Sequence, residues 1–416
     1  MIRSLLLCAT LAGCATQPVD ILHEPLTGPL TTPYNLAQFP DGFEMDGVTG
    51  DERVIFTGII TPAPTQPVAV LAAARLSGNP IGSLTPPPDG FLAIAAVKVL
   101  GYRTSGISTS GTLLVVDVGA LPPASHSTLY RYSYSYSPLF GFSSELLDSH
   151  TLPVQSFPPV TIDGVGYAGD VALLPGGGIA IADGLDGAIW TCGPTLEDCH
   201  LSQADPAWGA APAPPSFSGI GRAQGGGTKP YTLGITGGLM PGLLNIDYAA
   251  KTDEVCGLTV APPGGLYCVD RAQLLDDSIS PFAKSKRVLV APQTGVTDGG
   301  HGVAFDHWHP TSPWFYWVRS LADDIGGGSN IVRRVNLLTG EVQEVAESLT
   351  VMDFSTGLST IPPLVGGSPF TGGSSLTNLA VAMGQEENNA VINPVLSGVS
   401  MFVTPSIIAG IVVSSH

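Results

Sequence analysis

Two stretches decide the fold: Gly169-Asp-Val-Ala-Leu-Leu-Pro-Gly-Gly-Gly-Ile-Ala-Ile-Ala-Asp183 and Thr297-Asp-Gly-Gly-His-Gly-Val-Ala-Phe-Asp306. Each reads as a glycine, a short apolar strand, a tight turn and a second strand. In the second stretch the return strand is Trp314-Phe-Tyr-Trp-Val-Arg319, after a Pro-rich turn. Asp46-Gly-Val-Thr-Gly-Asp-Glu-Arg-Val-Ile-Phe-Thr57 has the same shape, and so does Thr252 to Arg271. Aligning the units pairs Gly47, Gly169, Gly257 and Gly302. Gly257 to Gly302 spans 45 residues, and Gly169 to Gly257 spans 88, which is two units of 44. A four-stranded propeller blade takes about 40–50 residues. The expected fold is therefore all-β, a six-bladed β-propeller, with seven blades as the alternative count.

Working outward, Ile331 to Val335 and Glu341 to Val345 flank a Thr-Gly turn and read as an outer hairpin. Tyr130, Tyr132, Tyr134 and Tyr136 alternate with Arg131, Ser133 and Ser135, so the four rings share one strand face. That face either packs between blades or forms an aromatic binding stripe. Pro62 to Pro88 and Asp205 to Pro230, rich in Pro, Gly and Ala, read as loop insertions. The expected organisation is a signal over 1–15 and one propeller over 30–416, with insertions near 62–88 and 205–230. The apolar tail from Met401 to Val413, broken by Pro405, reads as a ring-closing strand rather than a lipid-anchor signal.

Composition narrows the function. The chain has 416 residues, 44% hydrophobic and only 12% charged, with 52 Gly and 37 Pro. Such a chain builds many short strands and tight turns. Its net charge of −18 repels phosphate backbones, so nucleic acid is excluded as a partner. The expected partner is a small molecule, bound by a monomer with no membrane span. No Gly-x-Ser-x-Gly elbow, no Gly-Lys phosphate loop and no His-Glu-x-x-His is present.

The N-terminus reads as an export signal: Arg3, the apolar run Leu5 to Ala12, then Gly13-Cys14-Ala15. Leu11-Ala12-Gly13-Cys14 is similar to a bacterial lipobox, which would put a lipid on Cys14. Gly13-x-Ala15 is equally an ordinary cleavage site, giving a secreted chain. Beyond Cys8 and Cys14, four cysteines remain. Their even number and hairpin-compatible spacing predict disulfides Cys192–Cys199 and Cys256–Cys268.

The strand–turn–strand units from about Asp41 to Val345 resemble the superfamily of regucalcin, gluconolactonases, strictosidine-synthase-like proteins and paraoxonase-like lactonases (the calcium-dependent phosphotriesterase superfamily). The resemblance implies six blades, a divalent cation such as calcium at the channel mouth, and activity on lactones, esters or small natural products. Those lactonases place Glu, Asn, Asn and Asp around the metal. Here Asp46, with Glu44 nearby, stands at the first position, and Ala168 with Asp170 at the second. Asn245 lies in Leu243-Leu-Asn-Ile-Asp247, out of phase with the repeat. His301 stands at the Asp position, with Asp298 three residues earlier. The candidate ligands are Glu44, Asp170, Asn245 and Asp298, and the departures leave a chain that binds calcium or no metal at all. Each Asp beside a Gly equally reads as a turn-satisfying residue.

His301 and Asp46 are the expected catalytic pair, His301 serving as general base or else as a hydrogen-bonded structural group. His307-Trp308-His309 places two imidazoles on one side if extended, but precedes Pro310 and reads as a turn. Three functions follow. The first is an exported enzyme opening a lactone or ester in the channel. The second is a non-hydrolytic cyclase, because some secreted fungal propellers similar to this superfamily catalyse hetero-Diels–Alder-type cyclisations in secondary-metabolite pathways. The third is a non-catalytic binding propeller or surface lipoprotein.

Overall fold

The computed structural model describes residues 29–39, 44–60, 69–91, 94–117, 127–152, 168–184, 187–209, 211–212, 239–240, 243–259, 265–290, 302–322, 328–347, 353–363, 375–385 and 407–415. Alternating apolar runs and glycine turns give 26 strands among them. Blade 1 is β2 (Glu44–Gly50), β3 (Val54–Ile60), β4 (Ala69–Ala74) and β5 (Pro80–Ser83). Blade 2 is β6 (Ile94–Ser105), β7 (Ser108–Asp117), β8 (Thr128–Ser137) and β9 (Gly141–Thr151). Blade 3 is β10 (Ala168–Leu173), β11 (Ile179–Asp183), β12 (Ala188–Cys192) and β13 (His200–Leu201). A two-stranded ribbon, β14 (Ala211–Pro212) with β15 (Leu239–Met240), precedes blade 4. Blade 4 is β16 (Leu243–Ala249), β17 (Glu254–Thr259), β18 (Gly265–Asp270) and β19 (Lys286–Val290). Blade 5 is β20 (Val303–Phe305), β21 (Trp314–Ala322), β22 (Gly328–Asn336) and β23 (Val342–Glu347). Blade 6 joins β24 (Asp353–Ile361), β25 (Leu376–Gln385) and β26 (Ile407–Ser414) to β1 (Tyr34–Gln38) from the other end of the chain.

The chain is a six-bladed β-propeller. The core confirms the count, because the buried apolar residues fall into six clusters, one per blade interface. The cluster between blades 6 and 1 contains Leu36, Val48, Ile55 and Ile361, and so includes the closing strand. Closure removes the exposed sheet edges that an open array would leave. The tail expected to close the ring supplies β26, the third strand of blade 6, and its pairing with β1 at Tyr34↔Gly410 joins the two ends of the chain in one blade. The tyrosine stripe packs between blades: Tyr132 and Tyr134 are buried, and Phe56 meets Tyr134 edge-on with centroids 4.8 Å apart.

Turn carboxylates clasp neighbouring blades. Asp51, after β2, accepts from Thr109 Oγ1 of blade 2 at 2.8 Å and from Tyr134 Oη at 2.7 Å. Asp306, after β20, likewise accepts from Thr377 Oγ1 of blade 6. Both disulfides are formed: Cys256 and Cys268 face each other across β17 and β18, and Cys192–Cys199 staples the turn between β12 and β13. They favour an oxidising environment. Among the described residues no helix is long and apolar enough to cross a membrane.

Two sequence expectations need correction. Gly257 lies on β17, the second strand of blade 4, so it is not the counterpart of Gly47, and Cys256 beside it does not reach the channel. The apolar strand after Gly257 misled the alignment because second strands of blades carry the same apolar pattern as first strands. Within 62–88, residues 69–74 and 80–83 form β4 and β5, so much of that stretch belongs to blade 1. Residues 1–15, including Cys14, and most of 205–230 lie outside the described residues.

Candidate functional site

The first strand of each blade lines the channel. Five of these six strands carry a bulge at a similar level: Asp46/Val48, Ile94/Ala96, Ala168/Val171, Leu243/Asn245 and Ser355/Gly357. A bulge twists the strand and re-aims one residue. Gly47, Ala96, Asp170, Asn245, Gly302 and Gly357, one from each blade, thereby line a waist. Packing there is backbone on backbone. A Cβ on Gly357 would stand 2.7 Å from Gly47 Cα, and one on Gly302 would stand 2.5 Å from Leu358 N. Only glycine fits such approaches. The cavity left at the waist is about 10 Å³, close to the room one water needs.

Asp170 and Asn245 meet at this level. Asn245 Nδ2 donates to Asp170 Oδ2 at 3.4 Å, and Gly302 N donates to Asn245 Oδ1 at 3.2 Å. Asp170 also accepts from Val171 N at 2.8 Å and Ile246 N at 3.3 Å. Lys98, reaching in from blade 2, brings Nζ to 4.0 Å from Asp170 Oδ1.

Below the waist the channel widens into a cavity of about 320 Å³. Lys98, Tyr102, Asp247, His307, Trp308 and Thr360 are among its lining residues. Asp247, 2% exposed, projects from β16 two residues beyond Asn245. It accepts from Tyr248 N at 2.9 Å and Phe305 N at 2.8 Å. His307 Nε2 sits 3.0 Å from both of its oxygens. Burial would raise the Asp247 pKa. His307, then Lys98, and the hydrogen bonds from His307 and Phe305 N–H more than offset this, and the pKa is lowered. Asp247 is therefore a carboxylate at neutral pH. Asp247 engages His307 through Nε2, and Nδ1 is the other ring nitrogen. Burial would depress the Lys98 ammonium, but Asp170 and then Asp247 raise its pKa above the ordinary value. Tyr102 and Trp308 meet edge-on with centroids 5.8 Å apart, from blades 2 and 5 on opposite sides of the ring. Burial, then the Glu52 carboxylate 3.3 Å from its hydroxyl, raises the Tyr102 pKa, and the phenol stays protonated.

The structure thus brings together Asp170 and Asn245 of the expected residues. Glu44 and Asp46 lie on β2, Asp46 opposite Gly58. His301 and Asp298 lie outside the described residues. The calcium that the resemblance implies does not fit Asp170 and Asn245. Calcium takes about 6–8 oxygen ligands, whereas these side chains are hydrogen-bonded to each other and face an ammonium. A second cluster, Glu254 with Cys256 and Cys268, offers no thiolate, because its sulfurs form the disulfide. Sequence reading missed Lys98, Asp247 and His307 as site residues. The available signal was Asn245-Ile-Asp247, two polar side chains at strand period in an otherwise apolar segment.

No family model and no curated protein matches the sequence. Solved structures do match. Regucalcin from Agrobacterium tumefaciens is 14% identical, over 93% of this chain and 95% of that one, with a TM-score of 0.46. The Malassezia sympodialis allergen Mala s 1 is 9% identical over 91% and 96%, with a TM-score of 0.47. Virginiamycin B lyase from Staphylococcus aureus is 8% identical over 86% and 96%, with a TM-score of 0.41. Likenesses at this level carry no argument about activity or ligand, which must come from the site itself.

Proposed function

We propose that the protein is an exported enzyme acting on a small, partly apolar carbonyl compound bound below the channel waist, and that it opens a lactone or ester. The observation that carries this reading is the His307–Asp247 pair on the wall of a 320 Å³ cavity, with the Lys98 ammonium beside it. His307 Nδ1 takes a proton from water as the water oxygen attacks the carbonyl carbon. Lys98 stabilises the charge that develops on the carbonyl oxygen. The C–O bond then breaks, and the leaving alkoxide takes the proton from Nδ1. Asp247 holds the ring and its tautomer, as the orienting carboxylate of a catalytic triad does. No step requires a metal. The apolar part of the substrate would lie against Val99, Leu100 and the Tyr102–Trp308 pair, which line the same space.

A second reading, a cyclase that works by orienting its substrate, is favoured by that aromatic pair. The two readings separate on one variant. With a lactone and ester panel, His307→Ala should lower kcat roughly 10²–10⁴-fold if acid–base chemistry operates. Turnover that survives His307→Ala within a few fold would remove the hydrolytic mechanism.

A further inference from the structure

Blade 2 is built differently from its neighbours. Its strands β6, β7, β8 and β9 run for 12, 10, 10 and 11 residues, whereas those of blade 1 run for 7, 7, 6 and 4. Thr49 Oγ1 accepts from Val99 N at 3.1 Å, which fixes the relative level of β2 and β6. Beyond that level β2 ends at Gly50, while β6 continues to Ser105. The end of blade 2 therefore stands out from the face carrying the cavity mouth by about four residues, on the order of 10 Å. It is firmly rooted. Asp51 holds Thr109 and Tyr134, and Arg53 Nη2 donates to Gly106 O in the β6–β7 turn.

Two turns form the tip of this projection. Ile107, in the first, is 49% exposed; Leu139 and Phe140, in the second, are 74% and 91% exposed. The second turn satisfies its own polar groups. Phe140 N donates to Ser137 O at 3.2 Å, Leu139 N donates to Ser137 Oγ at 3.3 Å, and Gly141 takes a φ of +80°. Nothing in this backbone calls for apolar side chains, and turn positions ordinarily carry polar residues. Charge sets the segment apart as well. In a chain with 34 acidic residues, Arg103 is the only charged residue in 101–112 and 133–144. Ser, Thr and Tyr supply most of the rest.

We propose that the projecting end of blade 2 is a docking element for an uncharged lipid surface, with Ile107, Leu139 and Phe140 entering the boundary between headgroups and acyl chains. Three side chains on two turns are far too little for a stable protein interface, which takes about 800 Å² from each partner. Insertion into lipid needs no complementary shape, and each buried apolar side chain contributes independently. The backbone there is already paired in its ladder, so it can approach the acyl region without leaving unsatisfied groups. The absence of acids at the tip spares the cost of desolvating carboxylates at the boundary, which the rest of this anionic chain would meet. Docked this way, the protein turns its cavity mouth toward the membrane.

The test uses the full chain carrying Cys14→Ser in every arm, so that no acyl chain at that position contributes, and phosphatidylcholine vesicles. The parent should co-float with the vesicles, and Leu139→Ser/Phe140→Ser should weaken partitioning at least about tenfold, Ile107→Ser about threefold. Phe140→Trp should add emission that shifts to the blue on vesicle addition and is quenched by brominated phosphatidylcholine. This readout remains informative even if the serine variants misfold. A parent that does not co-float, serine variants that fold and co-float like the parent, or a Phe140→Trp signal indifferent to lipid would each overturn the proposal. A self-associated parent that becomes monomeric in the serine double variant, with no vesicle binding, would reassign the tip to a protein partner and overturn it as well.

Discussion

His307-Trp308-His309 puts two imidazoles one residue apart, each on a buried carboxylate, and the two pairs differ in every other respect. His309 Nδ1 lies 2.8 Å from Asp306, three residues back on the same turn. That carboxylate also receives Trp308 N at 3.2 Å, His309 N at 3.1 Å and the Thr377 hydroxyl of the next blade. Asp306 is fully committed to structure. His307 instead reaches across to Asp247 on blade 4, and both line the cavity. A local pair saturated with hydrogen bonds locks a turn. A cross-blade pair on the wall of a cavity has chemistry to offer. The motif alone cannot separate these roles, because what distinguishes them is where the partner carboxylate comes from.

The largest effects should fall on opposite sides of this comparison. His307→Ala should remove most turnover, as above, while Asp247 keeps two backbone donors and Lys98, so unfolding stability should drop by no more than about 1–2 kcal/mol. Asp306→Ala should do the reverse. It strands the donors that converge on that carboxylate and unclasps blade 5 from blade 6, for a loss of about 3–5 kcal/mol in denaturant unfolding. If Asp306→Ala left stability unchanged but abolished turnover, the assignment of the two pairs would have to be exchanged.

Lys98 sharpens the comparison through pH, since it faces Asp247 and Asp170 but not Asp306. Its folded pKa is raised, so the stabilisation it provides is complete below the unfolded lysine value near 10.4 and is lost as pH rises through the folded value. The Asp247 pKa is lowered, so its contribution is present above the unfolded value near 3.9 and disappears as pH falls through the folded one. Lys98→Met should therefore cost about 3 kcal/mol near neutrality by leaving two buried carboxylates without their cation. The deficit should shrink at both pH extremes. Tyrosines with raised pKa values, Tyr102 among them, share the alkaline limb with the same sign, and the difference between wild type and variant cancels them. A deficit that stays constant from acid to alkali would mean that Lys98 acts through packing alone.

Propeller architecture was legible because a glycine turn followed by a short apolar strand recurs at Gly47, Gly169 and Gly302, although the waist positions Gly47, Ala96, Asp170, Asn245, Gly302 and Gly357 are unevenly spaced and keep no single period. The disulfides were legible because an even number of cysteines and hairpin-compatible spacing constrain the pairing. Blade 4 was misregistered for a physical reason: its channel strand carries Asn245 where blades 1, 5 and 6 carry Gly47, Gly302 and Gly357, while its second strand offers Gly257, packed on Leu243 and Ile246. Asn245 looked out of phase because the repeat was counted from Gly257, on the second strand of the blade, whereas Asn245 stands on the first. The Lys98–Asp247–His307 grouping joins blades 2, 4 and 5, and short-range spacing carries no record of such a meeting.

The smallest effect expected concerns the residue between the two histidines. Trp308 is 39% exposed, and the ring it meets, Tyr102, belongs to the opposite blade. Neither side chain is part of a blade interface, so Trp308→Ala should change unfolding stability by less than about 1 kcal/mol. What it removes is an apolar wall across the cavity mouth. Losing one aromatic contact of that kind should weaken binding by about 1 kcal/mol, which raises KM roughly fivefold while kcat stays within a factor of two. Tyr102→Phe provides the control: it keeps the ring and loses only the bond to Glu52. If Trp308→Ala lowered kcat as far as His307→Ala while KM stayed fixed, the tryptophan would be placing His307 rather than walling the pocket. The site would then have to be redrawn around the whole turn instead of around one of its two imidazoles.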